Sequence, residues 1–386
     1  MTHALIIGGG IAGAATALAL HKAGISATIH EAYPTGADDI GAFLMIMHNG
    51  FDALRAIDAQ QPVVAESFGT TRVEYLNSDG ATIAGRPIGD KLTDANGPRT
   101  LKRADLYRAL QDEWTRRGGV IEHGKRLTGA STAADGTVTA RFADGDTATG
   151  DLLIGADGIH SATRAVIDPA APRPRYTGKN LVYGYVVDPS LPAAPDTFRM
   201  IHGRSTGFGY TTSPAGETFW TTTIPGPELT ASSARDWRHM ALELFARDAD
   251  DTAARIIEAT GEGVMVSGTY DVPSVPRWRR GSAVLVGDAA HAASPVAAQG
   301  ASMALEDSVV LAKCLRDRPD PASAFRAYEK LRRARVERLV SFSTEQADRA
   351  RADTTDQGIE RRARPDVRAW LYAHHIDWDE PVGSSQ

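Results

Sequence analysis

Residues 4–13 read ALIIGGGIAG, an apolar run that ends in a glycine-rich turn. The run predicts a buried parallel strand, because a strand covered on both faces is apolar throughout. Residues 14–23 are good helix formers, and residues 26–31 predict a second strand. Strand, helix and strand within about 30 residues form a βαβ unit with a right-handed crossover. The start of the chain therefore predicts a Rossmann-like α/β domain.

The turn carries the spacing Gly8-x-Gly10-x-x-Gly13, which is typical of dinucleotide-binding loops. Gly8 permits the tight turn, Gly10 lets the backbone approach a pyrophosphate, and Gly13 lets helix and strand pack closely. Glu31 ends the second strand, where a carboxylate can accept hydrogen bonds from ribose hydroxyls. A nucleotide site is favoured over the alternative, a glycine-rich turn that holds no ligand.

The rest of the chain predicts an α/β protein with an α+β insert. Residues 175–270 are rich in Tyr, Trp, Thr and Val between Gly and Pro clusters, which favours a mostly antiparallel sheet. We therefore expect a discontinuous nucleotide-binding domain of residues 1–174 and 271–345, into which residues 175–270 insert as a substrate-binding sheet. C-terminal helices follow, with residues 346–386 as a helical tail. Within that tail, the charged segment 349–364 favours a solvated or poorly ordered stretch.

Composition and charge exclude several classes of protein. The 386 residues include 42 Lys and Arg against 48 Asp and Glu, a net charge of −6, so no positive field attracts nucleic acid or anionic lipid. The single cysteine, Cys314, cannot form an intramolecular disulfide and fits a reducing cytoplasm. The N-terminus lacks the basic region of a signal peptide. We expect a cytoplasmic monomer or weak homodimer without nucleic-acid or membrane partners.

Two further motifs extend the nucleotide signal. Residues 155–164 read GADGIHSATR, residues 287–291 read GDAAH, and residues 295–307 read PVAAQGASMALED. With the glycine loop and Arg103, and in this order along the chain, the sequence resembles the single-component FAD-dependent aromatic monooxygenases of the para-hydroxybenzoate hydroxylase type. That family includes tetracycline-inactivating and polyketide-tailoring members.

The resemblance implies an enzyme that uses FAD, with NADPH or NADH as reductant. In such enzymes a flavin C4a-hydroperoxide delivers one oxygen atom of O₂ to an aromatic or polycyclic small molecule, here of secondary-metabolite type. Hydroxylation, epoxidation and Baeyer–Villiger insertion all remain open, no metal is implied, and no side chain is assigned as catalytic. The cofactor-binding residues that the resemblance implies are Gly8, Gly10, Ile11, Ala12, Gly13, Glu31, Ala32, Arg103, Leu127, Asp157, Arg164, Asp288, Gly300 and Ala301.

Several of the polar candidates have a structural alternative. Asp157 can cap the helix that follows it instead of touching FAD, and Arg103 can form a surface ion pair. His291 is favoured as a hydrogen-bonded structural residue over a general base. His374 and His375 favour a solvated tail over a metal pair, because adjacent side chains diverge.

One position departs from the family pattern. The family usually reads Pro-x-x-Gly-Gln-Gly beside the flavin, and here Ala298 stands at the first of those glycines. A Cβ can crowd the flavin or restrict a positive φ there. This motivates one alternative, a flavin-binding or product-binding protein that no longer oxygenates. A second alternative is a flavin-dependent halogenase, because residues 220–225, WTTTIP, partly match that group's Trp-x-Trp-x-Ile-Pro, with Thr222 in place of the second Trp.

We expect the substrate pocket between the inserted sheet and the flavin. Side chains alternate along a strand, so Tyr183 and Tyr185 share one face, as do Phe208 and Tyr210. Aromatic side chains facing the cofactor suit a flat substrate, although each can equally belong to the core. The candidate substrate-binding residues are Met45, Tyr183, Tyr185, Phe208, Tyr210, Trp220 and Pro295.

Overall fold

The structure of the protein is a computed structural model that describes residues 2–35, 41–89, 97–229, 235–292, 298–352, 355–362 and 369–383. The strands of the described chain are β1 (His3–Ile7), β2 (Ser26–His30), β3 (Phe43–Ile46), β4 (Phe68–Asn77), β5 (Thr82–Pro87), β6 (Arg99–Lys102), β7 (Val120–Glu122), β8 (Leu127–Thr132), β9 (Val138–Phe142), β10 (Thr147–Gly150), β11 (Leu152–Gly155), β12 (Arg175–Val187), β13 (Asp196–His202), β14 (Gly207–Thr212), β15 (Glu217–Pro225), β16 (Met265–Asp271), β17 (Arg279–Arg280) and β18 (Ala283–Leu285). The helices are α1 (Ile11–Lys22), α2 (His48–Ala56), α3 (Gln60–Ala65), α4 (Arg103–Arg116), α5 (Ala162–Ile167), α6 (Trp237–Phe245), α7 (Thr252–Thr260), α8 (Asp288–His291), α9 (Gly300–Asp317), α10 (Pro321–Ala352), α11 (Asp356–Arg362) and α12 (Ala369–Tyr372).

The first sheet is the predicted Rossmann-like core. Its strand order is β17-β18-β11-β1-β2-β7, with β18, β11, β1, β2 and β7 parallel and β17 antiparallel at the edge. The central strands are apolar because both of their faces are covered, and Leu5, Ile6 and Ile154 are at most 1% exposed. The parallel order places the carboxyl ends of β1, β11 and β18 at one edge, where ligands bind in such sheets.

The second sheet has nine strands in the order β16-β12-β15-β14-β13-β4-β6-β3, with β5 paired to β4. All of its pairs are antiparallel except β13 with β4. The α/β class with an inserted, mostly antiparallel sheet is therefore confirmed. The strands between residues 43 and 102 also join this sheet, so its pairing crosses the boundary expected at residue 175. The division into domains stays a prediction.

The segment after α10 differs from the expectation of a solvated or poorly ordered stretch. Residues 356–362 form α11, which packs against β5, and Ile359 is 1% exposed. Ile359, a single large apolar residue among charged neighbours, packs this helix against the protein. The high charge of the segment gave no indication of a packed helix. No helix in the described ranges is long and apolar enough to cross a membrane.

Candidate cofactor and substrate site

The glycine loop is shaped by backbone contacts at two of its three positions. Gly8 has φ +99°, and a Cβ on it would lie 2.6 Å from the Ala156 carbonyl oxygen. A Cβ on Gly13 would lie 1.9 Å from the Gly8 carbonyl oxygen. A Cβ on Gly10, in contrast, would meet nothing within 4 Å. The fold itself thus requires Gly8 and Gly13, whereas Gly10 leaves space at the N-terminus of α1 that fits a pyrophosphate.

Glu31 is held against this loop at the end of β2. The residue is 8% exposed, its Oε2 accepts a hydrogen bond from the Gly9 N–H at 2.6 Å, and its Oε1 accepts one from the Tyr33 N–H at 2.9 Å. Each carboxylate oxygen has a second lone pair, so the group can still accept ribose hydroxyls. The placement fits the ribose role expected for Glu31.

Gln111 contacts this loop, and the sequence interpretation missed it. It lies on α4, and its Nε2 donates to the Gly9 carbonyl oxygen at 2.6 Å. Arg103, Tyr107 and Gln111 follow each other at four-residue spacing and so share one face of α4. That spacing, starting from Arg103, was the signal that could have identified Gln111.

The remaining apolar candidates pack near the same end of the sheet. Ile11 is 9% exposed and Ala12 half-buried in the first turn of α1, and Leu127 is 6% exposed at the start of β8. Leu127 follows Lys125 closely, whose N–H donates to the Glu31 carbonyl oxygen at 2.7 Å. Ala32 follows Glu31 directly and is half-buried. Their direct contact with FAD stays a prediction.

The glycine loop and the third motif meet although they are almost three hundred residues apart. A Cβ on Gly287 would lie 2.9 Å from the Cβ of Ala12. Ser308 on α9 donates from Oγ to the Ala12 carbonyl oxygen at 3.2 Å, and its Oγ lies 3.0 Å from the Thr16 Oγ1. Helices α1 and α9 thus bring the two motifs to the same edge of the sheet.

Asp157 uses its carboxylate within the chain. It accepts hydrogen bonds from the Ser161 hydroxyl, from the Thr163 N–H at 2.9 Å and from the Thr163 hydroxyl at 3.0 Å. Burial raises the pKa of Asp157, and the hydrogen bonds from Ser161 and Thr163 oppose that shift. The capping alternative therefore describes what this side chain does at the start of α5.

Arg164 likewise has a structural contact. It is 3% exposed and donates from Nη1 to the Ala289 carbonyl oxygen at 3.1 Å, and from Nη2 to the Ile159 carbonyl oxygen. Burial lowers the pKa of Arg164. The residue joins the second motif to α8, and a direct role toward a nucleotide stays a prediction.

Asp288 and the start of α9 lie at the second end of the site. Asp288 begins α8 just after β18, is half-buried, and forms no hydrogen bond with another described residue. A Cβ on Gly300 would meet nothing within 4 Å, and Gly300 and Ala301 form the first turn of the 18-residue helix α9. The first N–H groups of a helix lack partners within it and carry its positive end. The Asp288 carboxylate can therefore accept hydrogen bonds from a hydroxylated chain of a ligand. The free N–H groups at the start of α9 can stabilise a negatively charged group placed next to them.

Ala298 adopts the backbone conformation that the family pattern reserves for glycine. Its φ is +50°, in the left-handed region. The expected restriction at this position is therefore present, since a Cβ disfavours that region. Pro295 lies outside the described residues.

Arg103 begins α4 beside the same region. A Cβ on Gly41 would lie 3.0 Å from the Arg103 Cδ, so the side chain extends over that glycine. Within the described part of the chain, no carboxylate lies within ion-pair distance of Arg103. Arg103 is exposed, and its contact with the cofactor stays a prediction.

A buried ion network lies beneath the start of α9. Arg332 on α10 is 1% exposed and donates from Nε to the Asp307 Oδ1 at 2.7 Å and from Nη1 to the Glu306 carboxylate. Arg335 adds two bonds of 2.8 Å to Glu306. The ring Nε2 of His291 lies against the Asp307 carboxylate, so His291 is the hydrogen-bonded structural residue that the sequence favoured.

This network reaches the N-terminus of α9 through Asn49. The Asn49 Nδ2 donates to the Glu306 Oε1 at 2.6 Å and to the Gln299 Oε1 at 3.0 Å. The Met47 N–H donates to the Ser302 hydroxyl oxygen at 3.2 Å, which ties the start of α2 to α9 as well. The sequence interpretation missed the network, although the adjacent acids Glu306 and Asp307 within the largely apolar stretch 301–312 were a signal.

The second sheet has one face that is sealed as a core. Phe208, Tyr210 and Trp220 are at most 1% exposed and pack under α6 and α7. The Trp220 Nε1 donates to the Thr260 hydroxyl at 2.8 Å. These three residues are therefore core rather than substrate-binding, because the β14 and β15 register turns them all to the helix-covered side.

The opposite face carries the other aromatic candidates and is called the inner face here. Tyr183 and Tyr185 lie on it with Phe219, whose ring centroid is 5.0 Å from that of Tyr185. Phe43 on β3 packs edge to face on Phe219 at 5.7 Å, and the half-buried Met45 is two residues further along the same strand. Burial raises the pKa of Tyr183 and of Tyr185, so both remain neutral hydroxyls. Phe43 and Phe219 were missed from the sequence.

Among the described residues, no three His, Cys, Asp or Glu side chains are placed to hold a metal ion. His375 pairs instead with Asp52 at 2.7 Å, and His374 lies 3.8 Å from Glu306. Cys314 is fully buried, and burial raises the pKa of its thiol to about 12.

Comparison with known proteins gives consistent matches. A family model described as "FAD binding domain" matches residues 1–343. The 3-amino-4-hydroxybenzoate 2-monooxygenase PtnB3 of Streptomyces platensis is 32% identical over 98% of this chain and 97% of its own length. An FAD-dependent urate hydroxylase of Klebsiella pneumoniae is 31% identical over 89% of both chains. The structure of Klebsiella pneumoniae HpxO complexed with FAD and uric acid matches with a TM-score of 0.82 and 28% identity, covering 94% of this chain and 92% of that one.

Proposed function

Because the chain belongs to the FAD binding domain family, we propose that it is an FAD-dependent monooxygenase that transfers one oxygen atom from O₂ to an aromatic small molecule. The resemblance to aromatic monooxygenases found from the motifs is confirmed by these relatives. The observation that carries the proposal is the meeting of the glycine loop, Asp288 and the α9 N-terminus at one edge of the parallel sheet. Strand β3, which carries Phe43 of the aromatic inner face, packs against α9.

The described residues fit FAD at both ends of the molecule. The free space beside Gly10 and the N-terminus of α1 would hold the pyrophosphate, and Glu31 would accept the ribose hydroxyls. Asp288 would bind the ribityl chain, because its carboxylate has no partner among the described residues. When bound, FAD supplies the redox chemistry that activates O₂, which no side chain of the protein can supply.

The protein's own groups would prepare this chemistry. The N-terminal N–H groups of Gly300 and Ala301, with the positive end of α9, stabilise negative charge placed before them. The inner face would exclude water and position a flat ring through Phe43, Phe219 and Tyr185. The neutral hydroxyls of Tyr183 and Tyr185 can each donate one hydrogen bond.

NADPH or NADH is the reductant in this proposal. The sequence holds one dinucleotide fingerprint, at residues 8–13, and that loop is assigned to FAD. A nicotinamide nucleotide would therefore bind only transiently at the surface, as the resemblance implies.

Turnover assays test the proposed function. Purified protein with FAD, NADPH or NADH, and a panel of aromatic acids, phenols and purines should oxidise the nucleotide faster when a substrate is present. The product should gain one oxygen atom, and that atom should carry ¹⁸O from ¹⁸O₂ by mass spectrometry. Reduction without any oxygenated product across the panel would contradict the proposal.

The two alternatives predict other outcomes of the same assay. A halogenase would yield a product only with added halide, and the arrangement of residues 220–225 argues against it, since Trp220 is sealed under α6 and α7. A flavin-binding protein without oxygenation would bind FAD but show no reduction by either nucleotide. The φ of +50° at Ala298 is the observation that keeps this alternative under test.

Assembly and location belong to the same proposal. Few large apolar side chains are exposed among the described residues, namely Tyr33, Val120, Val187 and Leu331, which supports a monomer or weak homodimer. A buried lone Cys314 supports a reducing cytoplasm. Sedimentation analysis across a concentration series would test the assembly.

A further inference from the structure

The first turns of α2 and α9 are joined by three close contacts. The Met47 N–H donates to the Ser302 hydroxyl oxygen at 3.2 Å, and a Cβ on Gly50 would lie 2.6 Å from the Ser302 Oγ. Asn49 is fully buried and donates from Nδ2 to the Gln299 Oε1 at 3.0 Å. The glycine permits the close approach of the two helices. A shift of the first turn of α9 would therefore break its contacts with α2.

The side-chain amide of Asn49 has a defined orientation, because it faces an ionised carboxylate. Its Nδ2 lies 2.6 Å from the Glu306 Oε1. Burial alone would raise the pKa of Glu306, but Arg332 and Arg335 outweigh it and lower that pKa, so the carboxylate only accepts hydrogen bonds. The Asn49 nitrogen must therefore point toward Glu306. The same nitrogen then fixes the side-chain oxygen of Gln299.

Stability of the fold does not by itself account for this pair of amides. Both side chains are at most 1% exposed, and the Asn49 Oδ1 and the Gln299 Nε2 have no hydrogen-bond partner among the described residues. Buried polar atoms without partners are costly, and an apolar pair of similar shape would avoid that cost. We therefore looked for a role of the pair in placing its neighbours.

Gln299 directly precedes α9 and closes its first turn, since its carbonyl oxygen accepts a hydrogen bond from the Met303 N–H at 2.9 Å. The next two N–H groups, of Gly300 and Ala301, are those that the proposed function assigns to negative charge on the FAD ring. The charge effect of a helix end is confined to its first turn. The direction of that turn, which Gln299 sets, therefore decides how well these donors meet the ring.

We propose that Asn49 is a positioning residue for FAD: through Gln299 it holds the N-terminus of α9 toward the ring and so favours the reduced, negatively charged cofactor. This inference rests on the proposed function and goes beyond it. Donors that are fixed before the charge develops stabilise it without reorganisation. Glu306, held by two arginines, supplies the rigid support for Asn49.

The test compares the FAD-loaded wild type with Asn49→Leu, Gln299→Leu and the double variant, because leucine removes the hydrogen-bonding atoms and keeps an apolar side chain in place. Asn180→Leu is the matched control. Asn180 is also fully buried, donates to the Pro227 carbonyl oxygen at 3.2 Å, and lies opposite Ile224 on the sealed face of the second sheet. The measurements are the midpoint potential of the bound FAD and the melting temperature, neither of which needs turnover.

We expect Asn49→Leu and Gln299→Leu each to shift the balance from reduced toward oxidised FAD by about tenfold, a fall of about 30 mV in the potential of a two-electron couple. The double variant should fall no further than the single variants, because both act through one contact. Asn180→Leu should lower the melting temperature and leave the balance within about twofold. A merely structural Asn49 would behave like Asn180.

Two results would overturn the inference: an Asn49→Leu variant with the wild-type potential, or a double variant whose shift is the sum of the two single shifts. If Asn49→Leu does not fold, Gln299→Leu decides alone, because it leaves the bond of Asn49 to Glu306 in place. An unchanged potential in that variant overturns the inference, and the expected fall supports it.

The same experiment separates this inference from the proposed function. If the potentials fall as expected but the wild type oxygenates no aromatic compound, the proposed function fails while the positioning role of Asn49 stands. If the wild type oxygenates an aromatic compound and the potentials do not move, only the positioning role fails.

Discussion

The two ends of the FAD site are built on different principles. At the nucleotide end, Gly8 and Gly13 are fixed by close backbone contacts, and Glu31 is held by backbone N–H groups. At the α9 end, Ala298 has a positive φ. There, buried ion pairs of Arg332 with Glu306 and Asp307 hold helix α9 in place. In the proposed function the first end would recognise the nucleotide by backbone shape, whereas the second would set the electrostatic environment of the ring. Variants at the two ends should therefore fail in different ways.

The largest effect is expected in the glycine loop. Gly13→Ala should abolish FAD binding and destabilise the fold, because its Cβ would lie 1.9 Å from the Gly8 carbonyl oxygen. Gly10→Ala is the matched control for folding, since its Cβ meets no protein atom within 4 Å but enters the proposed pyrophosphate space. It should keep the melting temperature of the FAD-free protein and lose FAD affinity. Full FAD affinity in Gly10→Ala would break this assignment.

The next effect is expected beneath α9. Arg332→Met should lower the free energy of unfolding by about 3–5 kcal/mol, because it leaves Glu306 and Asp307 buried without their main partner. Arg326→Met on the exposed side of the same helix should change it by less than about 0.5 kcal/mol. Urea unfolding of both variants measures these free energies. Equal losses of stability in the two variants would show that the buried ion network contributes nothing special.

The network should also give the stability a defined acid dependence. Burial alone would raise the pKa of Asp307, but His291 and Arg332 outweigh it and lower that pKa to about 2. A lowered carboxyl pKa stabilises the fold above about pH 4, the ordinary range, and this stabilisation is lost as the pH falls toward 2. We expect a contribution of about 2 kcal/mol that disappears across this window.

Unfolding curves of the wild type and Asp307→Asn between pH 5 and pH 2 would check that contribution. The variant cannot lose a proton at this position, so its stability should fall less steeply below about pH 4. Parallel curves for the two proteins would show that Asp307 does not titrate as described.

The smallest effect is expected at Ala298. Ala298→Gly should stabilise the protein by up to about 1 kcal/mol, because glycine adopts a φ of +50° without a Cβ penalty. Ala301→Gly, in the first turn of α9, should instead destabilise it by about 0.5–1 kcal/mol. Thermal melting of the pair should therefore shift in opposite directions, and a shared sign would contradict the assigned backbone strain.

The sequence predicted the nucleotide end well because its information is local. The strand, the turn and the helix around Gly8, Gly10 and Gly13 lie within one short segment. Gly8 and Gly13 each have a steric reason, and Gly10 leaves open space. The departure at Ala298 was equally local, and the structure confirms its positive φ. Such features depend on neighbours in the chain and need no knowledge of tertiary packing.

The substrate side was harder to predict because it depends on which face of a sheet is covered. Alternation correctly paired Phe208 with Tyr210 and Tyr183 with Tyr185, yet it could not say that α6 and α7 cover the first pair. Trp220 also lies in the core, because it shares the helix-covered face with Phe208 and Tyr210. For the Arg332 network, the adjacent acids Glu306 and Asp307 were a signal of buried charge. Their partner Arg332 lies on a different helix, and no sequence pattern specifies how the two helices pack.

Flavin content reports whether FAD binds between these two ends. The purified wild type should be yellow, or become so with added FAD, near one FAD per chain. Asp288→Ala should keep a folded circular dichroism spectrum but lose most of that FAD after gel filtration, because Asp288 is proposed to bind the ribityl chain. A wild type that stays colourless with excess FAD, or an Asp288→Ala variant that keeps full occupancy, would contradict the proposed FAD site.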